Sequence, residues 1–107
     1  MRLVTAKGRR GTYPAALQAF PEFLDISWGN DVFDSVVLRV QDVPYRVWIA
    51  QEDPIERERD FADVKRYVVM RLEEHGADTW GENRDAGDEP AFESDDPAAL
   101  VAWFSTR

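Results

Sequence analysis

The chain contains no cysteine among its 107 residues, and this absence limits how it can fold. Disulfides and thiolate zinc sites, which support small domains that lack a large core, are excluded. The chain must therefore fold around buried apolar side chains, and 44% of its residues are apolar, with four Trp among them. A chain of this length forms one core, so residues 1–107 are predicted to be a single domain.

Three segments between Leu24 and Ile49 have the pattern of β-strands. The first is predicted to be half-buried, because Leu24, Ile26 and Trp28 alternate with polar residues. Segments 36–40 and 45–49 predict an antiparallel hairpin that turns at Asp42-Val43-Pro44. In that register one face carries Val36, Leu38, Val40, Tyr45, Val47 and Ile49, and the other carries Arg39, Arg46 and Trp48.

A long helix is predicted from about Pro54 to His75. Asp53 is a suitable N-cap, Pro54 suits the first helical position, and Glu56 lies where a capping-box partner belongs. An apolar stripe at helical spacing follows, formed by Phe61, Val64, Val68 and Leu72. Gly76 then offers the left-handed residue that commonly ends a helix.

The two ends of the chain carry shorter elements. Leu3 to Ala6 is predicted to be a strand, Pro14 to Phe20 a short helix, and Thr79-Trp80 and Ala91-Phe92 two further short strands. A last helix is predicted over about 97–105, capped by Asp96 or Ser94. The predicted fold is therefore α+β, with an antiparallel sheet of 3–5 strands. A long central helix (about 54–75) and a C-terminal helix (about 97–105) pack on one face of the sheet.

The charge is high and unevenly distributed. The net charge is −8, yet residues 1–13 contain four bases and no acid, whereas residues 73–97 contain ten acids and one Arg. This balance disfavours nucleic acid and anionic membranes as partners and suits a basic protein partner. No apolar run approaches the roughly 18 residues of a membrane-spanning helix, so a cytoplasmic location is expected.

Catalytic signatures are weak. His75 is the only histidine, and its position in the last turn of the predicted helix suits interaction with the helix dipole. No serine lies in a Gly-x-Ser-x-Gly motif. The acidic loop that begins at Asn83 fails the EF-hand pattern, because Asp88 replaces the required Gly and Ser94 replaces the required Glu. We therefore expect neither a metal nor a cofactor.

An alternative prediction is that the chain binds a small ligand. Asp31, Asp34, Glu52 and His75 could supply polar groups to a carboxylate-lined pocket between the sheet and the long helix. Such a chain would be a small-ligand-binding protein or a minor enzyme. Glu52 and Asp53 form a second carboxylate pair, although turns and helix caps use such residues as well.

A basic turn offers a different candidate site. Lys7-Gly8-Arg9-Arg10-Gly11 could bind an anion through backbone N–H groups and the two arginines, Arg9 and Arg10. The segment matches no established phosphate-binding motif. A hairpin turn or a mobile arm that offsets the acidic half is the favoured explanation.

The favoured function is a non-enzymatic protein-interaction module that binds or inhibits a basic partner. The candidate partner-binding residues are Trp48, Trp80, Glu82, Asp85, Asp88 and Glu89. Trp48 is out of phase with the core face of its strand, and Trp80 opens the acidic loop. An edge strand that carried Trp48 would also allow two copies of the chain to pair.

Overall fold

Two antiparallel sheets, with an α-helix near the C-terminus, form most of the part of the chain that the structure describes. In this computed structural model the described residues are 1–8, 11–28, 33–50, 53, 55–56, 59, 64–72 and 89–107. A two-stranded sheet joins β1 (Leu3–Thr5) and β2 (Thr12–Pro14), and a 3-10 helix (Ala15–Ala19) follows. A five-stranded sheet has the order β3 (Leu24–Asp25), β4 (Asp34–Val40), β5 (Val43–Ile49), β6 (Tyr67–Arg71) and β7 (Phe92–Ser94), and helix α1 spans Pro97–Ser105.

The β4–β5 hairpin confirms the predicted register. Val36 pairs with Val47 and Leu38 with Tyr45, so these side chains share the core face. The turn itself differs from the prediction, because Val40 pairs with Val43 and only Gln41 and Asp42 connect the strands. Both turn residues have positive φ, 48° and 65°. This geometry is that of a two-residue type I′ hairpin, whose twist matches the twist of the strands.

The predicted long helix is wrong over its second half. Ile55, Glu56 and Arg59 have helical backbone, but Tyr67–Arg71 is strand β6, which pairs with β5 on one side and β7 on the other. Val69 on the core face and Met70 on the opposite face are both buried. A strand buried on both faces has a continuous apolar run. Such a run also contains residues at helical spacing, and this coincidence produced the predicted stripe.

Helix α1 covers the core face and confirms the predicted helix at 97–105. The Asp96 side chain accepts a hydrogen bond from the Ala98 N–H at 2.9 Å, and Pro97 occupies the first turn. Leu100 and Phe104 are fully buried, and the Phe104 ring lies 5.7 Å from the Tyr45 ring. The other buried residues of this core are Ala6, Tyr13, Leu17, Val36, Leu38, Val40, Val47, Ile49, Tyr67 and Val69.

Candidate functional site

Strand β3 (Leu24–Asp25) forms one edge of the five-stranded sheet, and two large apolar side chains are exposed there, one in the strand and one three residues after it. Leu24 is 49% exposed and Trp28 is 63% exposed. The polar residues between them lie inward, since Asp25 is half-buried and Ser27 is buried. Leu24 and Trp28 therefore face solvent instead of the core. The expectation that this segment would bury its apolar side is wrong for both residues.

Hydrogen bonds to the inward polar side chains explain this orientation. The Asp25 carboxylate accepts from the Lys7 N–H at 2.7 Å and from the Ser27 N–H at 2.9 Å. The Ser27 hydroxyl donates to the Ser35 carbonyl at 3.1 Å and accepts from the Ser35 N–H at 2.9 Å. Turning the strand over would leave the buried Ser27 and Ser35 groups without partners, at a cost of about 1–3 kcal/mol each. The polar contacts therefore fix which side of β3 faces solvent.

The turn between β1 and β2 packs against a second inward carboxylate. Asp34 is fully buried, and its Oδ2 accepts a hydrogen bond from the Gly11 N–H at 3.1 Å. A Cβ atom on Gly8 would lie 1.8 Å from Asp34 Oδ1, so only glycine fits at that position. The turn backbone is thus seated directly on this carboxylate.

This seating bears on the predicted anion site in the basic turn. The Lys7 and Gly11 N–H groups, at the two ends of the turn, donate to the protein's own carboxylates, those of Asp25 and Asp34. Neither amide is directed at an external anion. Arg9 and Arg10 lie outside the described residues, so anion binding by their side chains stays a prediction.

Tyr13 supports β3 from the core side. The Tyr13 ring lies 5.6 Å from the Phe23 ring, and the Gln18 side-chain amide donates to the Tyr13 hydroxyl at 3.3 Å. Burial raises the pKa of Tyr13 above its ordinary value, and the negative charge of Asp25 raises it further, while the Gln18 hydrogen bond lowers it. Tyr13 therefore stays uncharged at neutral pH, as its place in the core requires.

Trp48 lies on the face of the sheet opposite the core cluster, as its alternation predicts. It is half-buried, and the Arg46 guanidinium carbon lies 4.7 Å from the centre of its ring. Its strand, β5, is the third of five and is paired on both sides. The idea that an edge strand carrying Trp48 pairs two copies of the chain is therefore wrong. A role for Trp48 in partner binding stays a prediction.

Most of the predicted acidic surface lies outside the described residues, namely Trp80, Glu82, Asp85 and Asp88. The remaining member, Glu89, is exposed. Of the ligand-pocket candidates, Asp31, Glu52 and His75 also lie outside them. Asp53 is exposed, and its carboxylate accepts from the Ile55 N–H at 2.9 Å, which is a capping role.

Comparisons with known proteins give no assignment. No family model, no characterised protein and no solved structure matches this chain. Across the described residues, no helix is long and apolar enough to cross a membrane, and no three acidic, histidine or cysteine side chains gather as metal ligands would.

Leu24 and Trp28 are the site residues that sequence reasoning missed. Alternation shows that one side of a strand is apolar, but it does not show which side faces the core. The available signal was the chemistry of the intervening residues, because Asp and Ser commonly hydrogen-bond nearby backbone groups. We call Leu24, Trp28 and the backbone of Asp25 the β3 surface.

Proposed function

We propose that this chain is a non-enzymatic protein-interaction module that contacts its partner through the β3 surface. The supporting observation is the exposure of Leu24, in the edge strand β3, and of Trp28, in the segment that follows it. Trp is strongly enriched among the residues that dominate binding energy in protein interfaces. Exposed apolar side chains on a sheet edge also favour association, which soluble proteins otherwise suppress with charge or proline.

Trp28 offers enough surface to anchor a complex. A Trp side chain buries on the order of 150–250 Å² when it is covered. At roughly 25 cal/mol per Å², covering the 63% of Trp28 that is exposed contributes on the order of 3 kcal/mol before ordering costs. Leu24 adds a smaller amount on the same side of the strand. Two such anchors suit a specific contact better than scattered apolar residues do.

The partner is expected to be basic. The net charge of −8, concentrated in residues 73–97, attracts a cationic protein and repels an acidic one. In this proposal the acidic segment accelerates association, and Trp28 and Leu24 hold the complex. Trp48, Trp80 and the acidic residues near Trp80 are additional contacts within the same proposal.

The ligand-pocket alternative has less support than a protein contact. The pocket required a long helix beside the sheet, and β6 occupies the second half of that segment. Asp34 is buried under the β1–β2 turn, whereas Asp53 is exposed and caps a turn, so these two carboxylates have separate structural roles. A protein contact is therefore the better supported function.

Affinity capture with matched variants tests the proposal. The wild-type chain and the Trp28→Ala and Leu24→Ala variants are immobilised and exposed to extract from the cells in which the protein occurs. We expect a basic protein to be retained by the wild type and reduced about tenfold or more by Trp28→Ala, as for a hot-spot residue. Raising the ionic strength should weaken retention, because screening acts on charge-led association.

Leu3→Ala is the control variant. Leu3 is 36% exposed, and it begins β1 at the end of the hairpin away from the Lys7–Gly11 turn. All variants should keep the wild-type circular dichroism spectrum, because none of the substituted side chains is buried in the core. Equal recovery of the partner by wild type and Trp28→Ala would refute the proposal.

A further inference from the structure

We draw no further inference here: the strongest candidate, the outer edge of strand β3 between the exposed Leu24 and Trp28 side chains, belongs to the surface already proposed for partner binding, and nothing in the structure shows what covers it.

Discussion

Asp34 links the β1–β2 turn to the five-stranded sheet through one buried carboxylate. It accepts the Gly11 N–H, and the Gly8 backbone packs against its other oxygen. The carboxylate supplies a hydrogen-bond acceptor to the buried Gly11 N–H, which would otherwise need water. We therefore expect the conformation of the turn, and with it the Lys7 contact to β3, to depend on an acceptor at this position.

The variant Asp34→Ala should lose about 1–3 kcal/mol of unfolding free energy, because the buried Gly11 N–H loses its acceptor. The cavity left by the carboxylate should accept formate. Thermal unfolding with and without formate measures both effects, and formate should raise the Tm of the variant but not of the wild type. Asp53→Ala is the control, because that exposed cap contributes only about 1 kcal/mol. A formate-insensitive Asp34→Ala variant would contradict the role of Asp34 as the internal acceptor.

At the scale of residues, local contacts were predictable and distant ones were not. The Asp53 and Asp96 caps follow from hydrogen bonds that span two positions. Asp34 and Gly11 are separated by 23 positions, and no pattern in the sequence pairs them. The outward orientation of Trp28 also depends on a non-local contact, because Ser35, eight positions along the chain, holds Ser27 inward.

The type I′ turn between β4 and β5 is the element whose stability substitution should raise most directly. Gln41 and Asp42 both have positive φ, which costs residues with a Cβ about 1–2 kcal/mol each. Asn and Gly are the preferred residues of this turn. The double variant Gln41→Asn/Asp42→Gly should therefore unfold at a higher temperature, with a gain of about 1 kcal/mol.

Glu22→Gly provides the comparison for that turn. Glu22 also has positive φ, 58°, but its carboxylate pairs with the Arg39 guanidinium. Glycine at this position would relieve the backbone strain but would also remove the ion pair. We therefore expect a smaller rise in Tm than for the double variant at Gln41 and Asp42. A double variant at Gln41 and Asp42 that unfolds at or below the wild-type temperature would show that the turn carries no such strain.

At the scale of elements, the strength of local signals decided which predictions held. The hairpin β4–β5 and helix α1 are each specified within a short segment, by alternation on both sides of a turn or by a cap, a proline and an apolar face. Strand β6 is specified by two neighbours, β5 and β7, which lie on either side of it in the sheet. Tertiary pairing there overrode an apolar pattern that also fitted a helix.

The two sheets share one core. Tyr13 and Leu17, from β2 and the 3-10 helix, are buried with residues of β4 to β6. The Tyr67 hydroxyl donates to the Thr12 carbonyl at 2.9 Å, and the Gly11 N–H donates to Asp34. The radius of gyration, 13.0 Å, equals that of a compact domain of about 100 residues. The hairpin is thus a part of the domain and not an appendage.

A shared core predicts one cooperative unfolding transition in urea. Trp fluorescence and far-ultraviolet circular dichroism should give the same midpoint, and the Gly11 amide should exchange with the same free energy as the Val47 amide. Tyr67→Phe removes the hydroxyl that holds Thr12, so it should lower both midpoints together by about 1 kcal/mol of stability. Faster exchange at Gly11 alone in this variant would instead mean that the β1–β2 hairpin opens independently of the five-stranded sheet. Asp25 would then lose its Lys7 contact before that sheet unfolds.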